Sequence, residues 1–182
     1  NDNKRIRKNW TLNGAVTWHI IKNLNLKVEG GIDDYSQEDN RFYGLTTYYV
    51  GNSATIKGQP ATQYKNAFRT NYRSTNTLNY NFAEVFDNDD HKLDLLVGQE
   101  YILTKSNTLS STIEGFPEFF DSQMAWNFMA SGTPVASNNF YNPNGQLLSF
   151  FGRANYEFGG RYALSATVRA DGASKLEKGN QW

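Results

Sequence analysis

The chain has no cysteine and, over its 182 residues, no excess of charge of either sign. Without cysteine it has no disulfide framework, no thiol nucleophile and no thiolate metal site. Eighteen basic residues balance eighteen acidic ones, so the whole chain carries no field that would recruit nucleic acid or an anionic surface. No apolar run approaches the roughly 20 residues of a membrane-spanning helix, which excludes a helical membrane protein.

Histidine is scarce as well. His19 and His91 are the only two, and neither has the spacing of a metal-ligand motif such as His-Glu-x-x-His. The acidic run at 87–90 lacks the glycine and the bidentate glutamate of a calcium loop, which favours a solvated turn. The basic run at 4–8 is short and is interpreted as a solvated loop or strand start. The sequence therefore predicts no catalytic residue, no metal and no cofactor.

Aromatic residues are abundant, at 15% of the chain, and they accompany a clear alternating pattern. Near the C-terminal end, strands at about 147–158 and 161–171 flank the pair Gly159-Gly160. Apolar and polar side chains alternate along both strands with a period of two, as a half-buried strand requires. One face carries Leu148, Phe150, Ala154, Tyr156, Phe158, Tyr162, Leu164, Ala166 and Val168.

Strand-like alternation recurs elsewhere, and the connections alternate in length. We expect six strands, at about 9–19, 24–34, 67–82, 92–103, 147–158 and 161–171. Short links join the members of each pair, whereas long polar stretches at 35–66 and 104–146 separate the pairs. A membrane barrel gives this asymmetry naturally, because one set of turns is short and the extracellular loops are long, whereas a soluble sandwich gives no reason for it.

The aromatic side chains near the strand ends fit the same interpretation. Trp10 and Trp18 share a face and lie roughly 20 Å apart along a tilted strand, close to the ~25 Å apolar band of a membrane barrel. We predict that an interfacial girdle includes Trp10, Trp18, Tyr80, Tyr156 and Tyr162. The alternative is that these rings fill the core of a sandwich.

Six strands cannot close a membrane barrel, since bacterial single-chain barrels begin at about 8 strands. Left alone they would expose two unpaired edges and a broad apolar face. The chain also starts without methionine or an apolar signal region, and it stops without a recognisable domain ending. We therefore expect an all-β fold, an antiparallel portion of a transmembrane β-barrel with long extracellular loops, cut from a larger protein.

Several stretches resemble one family. Residues 148–156 (LSFFGRANY), 161–176 (RYALSATVRADGASKL) and the terminal Asn180-Gln181-Trp182 resemble the barrel of SusC/RagA-type TonB-dependent outer-membrane transporters of Bacteroidetes. Residues 76–81 and 91–101 look like the preceding strand pair of such barrels, and 115–117 like part of the following loop. The resemblance is specific over about 76–182, and it departs at Ala173, where the family more often has serine.

The resemblance implies a parent protein in the Gram-negative outer membrane. It implies a 22-stranded barrel, an N-terminal plug domain with a TonB-contacting segment, and a SusD-like surface lipoprotein as a lid. Neither plug nor TonB-box sequence is recognised within residues 1–182, all of which we assign to the partial barrel. The expected partners are the SusD-like lipoprotein, TonB through the plug segment, outer-membrane lipid and an oligosaccharide or peptide substrate, without nucleic acid.

The long stretches contain aromatic residues among hydrogen-bonding neighbours, a combination that suits sugar rings or peptide side chains. The candidate substrate contacts are Tyr48, Tyr49, Phe119, Phe120 and Trp126. The alternative is that these rings pack the loops or meet the lid protein. The lumen-facing charges are expected to form a paired network rather than a ligand site; they are Arg69, Arg73, Arg153, Arg169 and Asp171.

The leading hypothesis is part of an active nutrient importer for oligosaccharides or oligopeptides, working with TonB and a SusD-like lipoprotein and performing no bond chemistry. The competing hypothesis is a soluble β-sandwich that binds carbohydrate or mediates adhesion, with the same aromatics in its core. A third possibility is a passive porin-like channel, which the absence of a plug from the parent gene would favour.

Overall fold

The computed structural model describes residues 2–54, 58–82, 85–86, 90–177 and 179–182. Within them the chain is built almost entirely of strands, with two short helices and one 3-10 turn. In chain order these are β1 (Asp2–Ile21), β2 (Leu24–Tyr43), α1 (Tyr48–Asn52), β3 (Ala61–Asn81), β4 (His91–Glu114), α2 (Ser122–Asn127), the 3-10 turn Met129–Ser131, β5 (Thr133–Tyr141), β6 (Gly145–Phe158) and β7 (Tyr162–Ala173).

The strands form one sheet whose order follows the chain, β1-β2-β3-β4-β6-β7, with β5 paired to β4 beside this path. Such a meander needs no crossover connection, because each strand hydrogen-bonds with a neighbour that is close in sequence. The pairings of β4 with β5, β4 with β6 and β6 with β7 are all antiparallel. The predicted all-β, antiparallel fold class is confirmed.

Two tight turns join neighbouring strands, and each has at least one residue at positive φ. Gly159 and Gly160 have φ of 58° and 65°, and the N–H of Arg161 donates to the C=O of Phe158. Positive φ at both central residues is the signature of a type I′ turn, which matches the twist of the flanking strands and favours glycine. In the link between β1 and β2 only Asn23 has positive φ, at 67°, so this turn is not type I′; asparagine tolerates that region.

The predicted strand bounds were too short, and one strand was missed. β1 begins at Asp2, β2 continues to Tyr43 and β4 continues to Glu114, so much of the predicted long stretches is strand. In these extensions polar side chains occupy most positions on both faces, and the few apolar ones, such as Phe42 and Ile113, do not give the alternating period that marks a half-buried strand, although the backbone ladder continues. β5 lay inside the predicted loop 104–146 for the same reason, and the described residues hold seven strands rather than six.

The partner of β4 changes along its length. Near its end β4 pairs with β5, for example Thr108 with Phe140, and earlier it pairs with β6, for example Thr104 with Gly145. Between the pairs Asn107–Tyr141 and Thr104–Gly145, three residues on the β5–β6 side therefore oppose two on β4, a one-residue shift of register. Pro143 lies within this irregularity, where its missing N–H costs no ladder hydrogen bond.

The contacts divide the chain into two compact units. The first, called here the loop unit, comprises Asn1–Trp10, Asp34–Arg69 and Ser106–Pro143. The second, called the hairpin unit, comprises Thr11–Asp33, Thr70–Lys105 and Asn144–Trp182.

In the hairpin unit the two faces of the sheet differ sharply. On one face Tyr156 opposes Leu164 and Gly152 opposes Val168, whereas on the other Asn155 opposes Ser165, whose Oγ donates to Asn155 Oδ1 at 2.7 Å. The apolar face is open: Trp18 is 64% exposed and Val168 is 73% exposed. None of the buried apolar residues of the described chain belongs to this unit. The predicted alternation along β6 and β7 is confirmed, without the covering layer that a sandwich would supply.

The loop unit, by contrast, has a small core of its own. Phe42, Ile113, Phe116 and Ala125 form a buried cluster, and Phe120 packs against it. α2 is held at its start by Asp121, whose Oδ1 accepts a hydrogen bond from the N–H of Met124 at 2.8 Å. The irregular segments of this unit are therefore packed onto the strands that carry them.

No helix among the described residues is long and apolar enough to cross a membrane.

Close packing at one glycine gives a test of the register. A Cβ added to Gly98 of β4 would lie 2.3 Å from Cζ of Phe151, its partner on β6. We expect Gly98→Ala to lower the free energy of unfolding by about 1–3 kcal/mol, measured by denaturant unfolding followed by tryptophan fluorescence. Gly14→Ala in β1 is the matched control, because nothing lies within 4 Å of its added Cβ. Equal stability of the two variants would contradict this packing.

Candidate functional site

A polar groove lies on the loop unit, where four neighbouring strands and β5 contribute side chains. Alternate residues point into it, because positions two apart on a strand share a face: residues 37, 39 and 41 of β2, and 63 and 65 of β3. The groove has a volume of about 620 Å³. It is lined by Arg5, Gln37, Asp39, Arg41, Gln63, Lys65, Thr108, Ser110, Phe140 and Asn142.

One carboxylate of the groove is already engaged. Asp39 is 6% exposed, and its Oδ1 accepts a hydrogen bond from Arg5 Nε within an ion pair. Its Oδ2 accepts from Gln37 Nε2 at 2.6 Å, and Arg7 Nε donates to Gln37 Oε1 at 2.9 Å. A buried carboxylate is tolerated only when it is paired and hydrogen-bonded in this way.

The remaining charges of the groove are positive. Arg5, Arg41 and Lys65 face one carboxylate, Asp39, so the lining carries a formal charge of +2. Among the described residues, no ion pair and no side-chain hydrogen bond engages Lys65. The groove can therefore offer cationic and neutral hydrogen-bond donors to a ligand.

The sequence did not identify this groove, because residues 35–66 were interpreted as an irregular stretch and the basic run at 4–8 as a solvated segment. The signal that could have found it is the spacing of polar residues at 37, 39 and 41 and again at 63 and 65. Such spacing puts side chains on one face only if the segment is extended. The segment has no alternation of apolar and polar residues that would predict a strand.

The predicted loop aromatics are not brought into a single site. Tyr48 is 85% exposed and Phe119 is 76% exposed, whereas Phe120 packs on the buried cluster with its ring centroid 5.2 Å from that of Phe119. Trp126, in α2, is half-buried. Their role in substrate contact stays a prediction, and Tyr48 and Phe119 are the members that leave an open ring face.

Tyr49, the remaining predicted contact, is tied to the strands. Its ring stacks on Tyr43 with centroids 4.4 Å apart, and its hydroxyl donates to Glu114 Oε1. Burial and this hydrogen bond to a carboxylate raise the pKa of Tyr49 to about 12. The phenol thus stays neutral and acts as a fixed donor that holds α1 to the end of β4.

The predicted girdle residues lie where their strands place them, and their membrane role stays a prediction. In the loop unit Trp10 is 52% exposed. In the hairpin unit the side chains of Trp18 and Tyr162 are exposed. The Tyr80 ring contacts that of Phe82 edge to face, with centroids 4.5 Å apart. The Tyr156 hydroxyl lies 2.6 Å from Nδ1 of His91. These rings combine an apolar body with a polar tip, the property that suits an interface.

A charged cluster occupies the polar face of the hairpin unit. Arg169 Nη2 donates to Glu100 Oε1 at 2.9 Å and to the fully buried Ser149 Oγ at 2.9 Å, and its Nε donates to Asp171 Oδ1 at 2.7 Å. The Arg169 guanidinium also lies 5.7 Å from the centre of the Phe151 ring. The paired network expected for Arg169 and Asp171 is present, with Glu100 and Ser149 as members that the sequence did not assign to it.

Metal binding has little support among the residues that the structure describes. No group of three histidine, cysteine, aspartate or glutamate side chains could hold an ion there. Three members of the acidic run, Asp87, Asn88 and Asp89, lie outside the described residues.

No family model matches the chain. The chain is similar to TonB-dependent receptor P3 of Formosa agariphila, with 27% identity over 170 residues. The alignment covers 93% of this chain and 16% of that receptor, so the chain spans about a sixth of its relative.

Three solved RagAB structures share the fold. The RagAB peptide importer in the open-open state has a TM-score of 0.80 at 21% identity, covering 99% of this chain and 19% of that one. The RagAB peptide transporter has a TM-score of 0.77 at 23% sequence identity, and the match covers 98% of this chain and 19% of that one. The RagAB peptide importer in the closed-closed state has a TM-score of 0.74 at 21% identity, and the match covers 99% of this chain and 19% of that one. At these identities the likeness establishes the fold, and with the curated relative it confirms the predicted resemblance to part of a SusC/RagA-type barrel.

The contact of Tyr49 with Glu114 can be tested by removing one oxygen. Tyr49→Phe leaves the buried Glu114 carboxylate without that donor, and we expect the free energy of unfolding to fall by about 1–3 kcal/mol. Tyr48→Phe is the matched control, because the exposed Tyr48 hydroxyl should contribute within about 0.5 kcal/mol. Denaturant midpoints of the two variants measure the difference. A Tyr49→Phe protein as stable as Tyr48→Phe would show that the contact contributes nothing.

Proposed function

We propose that this chain is part of the wall of an outer-membrane importer that takes up oligosaccharides or oligopeptides with energy transmitted by TonB. The observation that supports it most directly is a chain-ordered antiparallel sheet with the fold of RagAB structures and sequence similarity to a TonB-dependent receptor. The open apolar face of the hairpin unit fits contact with outer-membrane lipid, because a strand wall faces lipid with one set of alternate residues and water with the other.

In this proposal the polar surfaces line the transport path. The Arg169 cluster belongs to the wall and keeps its charges paired, whereas the groove of the loop unit offers unengaged donors to a passing ligand. No step of bond chemistry is required: transport depends on a change of conformation elsewhere in the parent protein, driven by differential binding and by TonB. We also propose a SusD-like lipoprotein as the surface partner, as the family resemblance implies.

The parent protein supplies the first test. We expect it to fractionate with outer membranes and to need detergent for extraction, because the apolar face has no covering layer in the hairpin unit. Deletion of its gene should abolish growth on the matching oligosaccharide or peptide, and disruption of TonB should do the same with the receptor still present. Extraction into water without detergent would favour the soluble sandwich instead. Uptake that survives loss of TonB would favour a passive channel.

The exposed loop aromatics give a second test, aimed at the ligand or the lipoprotein lid. We expect the double variant Tyr48→Ala/Phe119→Ala to reduce uptake, or co-purification of the lipoprotein, by about tenfold with little change in stability, since both rings are open and exposed anchors contribute to binding rather than packing. Phe120→Ala is the contrasting variant and should lower stability by about 1–3 kcal/mol, because its partly buried ring packs against the apolar cluster. Unchanged uptake and co-purification in the double variant would show that these two rings contact neither the ligand nor the lipoprotein.

A further inference from the structure

We propose that the polar groove of the loop unit selects ligands that carry carboxylate or sulfate groups. The inference rests on the proposed importer function and narrows its substrate class from oligosaccharides or oligopeptides in general to their acidic members. The groove joins an uncompensated positive charge to neutral donors and an open aromatic ring, a combination that matches an oligomer with anionic substituents.

The charge of the groove is a local property and not a consequence of composition. The whole chain has a formal net charge of zero, yet the lining of this groove holds three cations and one carboxylate. Both oxygens of Asp39 already accept a hydrogen bond, one from Arg5 and one from Gln37, and the residue is buried, so little of this carboxylate faces a ligand. An anion that enters meets Arg41 and Lys65 without a competing exposed carboxylate in the lining.

The opposite face of the same strand holds the balancing charge. Glu38 lies between Gln37 and Asp39 in sequence, but it is not part of the groove, and its Oε1 accepts a hydrogen bond from Nδ2 of Asn40 at 2.7 Å. Positions 38 and 40 alternate with 37, 39 and 41, so they leave the strand on the other side. The strand therefore separates its charges, and the field in the groove stays positive.

Neutral groups in the groove suit the rest of such a ligand. Thr108 and Ser110 bring hydroxyls that no side-chain hydrogen bond in the described chain engages. Gln63 receives only a long contact, 3.4 Å, from the Tyr43 hydroxyl at its Oε1, which leaves its amide N–H groups as donors. Phe140 is 59% exposed and offers a ring face on which a sugar or an apolar side chain can lie.

A focused positive field in a concave site favours anions over neutral analogues and does so in a salt-dependent way. Arginine binds carboxylate or sulfate through a planar fork, whereas lysine acts as a point charge. The groove has one of each that is free of a direct ion pair. We therefore expect the charge of an oligomer to change its affinity for the groove more than the chemistry of its backbone does.

Binding to the purified full-length receptor in detergent tests the proposal without requiring TonB. The probes are matched pairs: triglutamate against triglutamine, trigalacturonate against galactotriose, and sulfated against plain dextran oligomers. We expect at least one acidic member to bind about tenfold or more tightly than its neutral partner and to lose affinity when salt rises from about 50 mM to about 500 mM. Which pair shows the preference distinguishes a peptide ligand from a uronate or sulfated sugar.

Variants connect that preference to the groove. The double variant Arg41→Gln/Lys65→Gln should lower the affinity for the acidic probe about tenfold or more, because the positive charge is removed. The affinity for the neutral probe should stay within about twofold. Lys8→Gln is the matched control, since Lys8 is an exposed cation of β1 outside the groove. Arg41→Lys should retain most of the preference. A heat-shift gel of the unboiled receptor confirms that each variant still forms its barrel.

The outcomes separate this inference from the function on which it rests. If the receptor shows no preference for any acidic probe, or binds none, or if the double variant keeps the preference, the inference is wrong even when uptake depends on TonB. If the preference is present and depends on Arg41 and Lys65 while uptake does not need TonB, the inference that the groove selects acidic ligands is supported and the importer proposal is wrong.

Discussion

The pairing of backbone groups between antiparallel strands constrains everything else in this chain. A strand that satisfies its N–H and C=O groups in the sheet must send its side chains alternately to two faces. The register of β4 with β6 is unbroken over 14 residue pairs and that of β6 with β7 over 12, so the parity of a position fixes its surroundings. Phe151 consequently meets Gly98 and Arg169, whereas Phe150 beside it faces the opposite side. A slip of one residue would bring Arg153 to the apolar face, a cost that pins the register.

The alternation of side chains has different consequences in the two units. In the hairpin unit it collects apolar side chains on a face with no layer over it, which is stable only if lipid or another part of a larger protein covers that face. The loop unit holds all the buried apolar side chains of the described residues, and four of them, including Ala125 of α2, form one small cluster. The strands there carry polar side chains, and their stability depends on ladder hydrogen bonds and on contacts such as Tyr49 with Glu114.

Sequence reasoning succeeded where the alternation was amphipathic and failed where it was not. The faces of β6 and β7 and the Gly159-Gly160 turn follow directly from period-two patterning and from the backbone freedom of glycine, and the structure has them. At residues 35–43 and 133–141 polar and apolar side chains are mixed on both faces, so hydrophobicity has no period of two although the backbone is extended, and sequence patterning predicts these segments to be loops. The aromatic loop residues show a different limit: composition cannot tell Phe120, which packs on the core, from Phe119, which does not, because only the path of the chain decides which ring is covered.

The groove follows from the same rule applied to charge instead of hydrophobicity. Along residues 37–41, Glu38, Asp39 and Arg41 sum to a net charge of −1, so neither this window nor the neutral whole chain predicts a positive surface. Extended backbone divides that window: Asp39 and Arg41 enter the groove, and Glu38 leaves on the other side. Arg5 then neutralises the one groove carboxylate, and Lys65 arrives from the neighbouring strand without a counter-ion. A locally positive surface thus arises from a neutral sequence because alternation sorts charges by position, and neighbouring strands add charges of one sign that lie far apart along the chain.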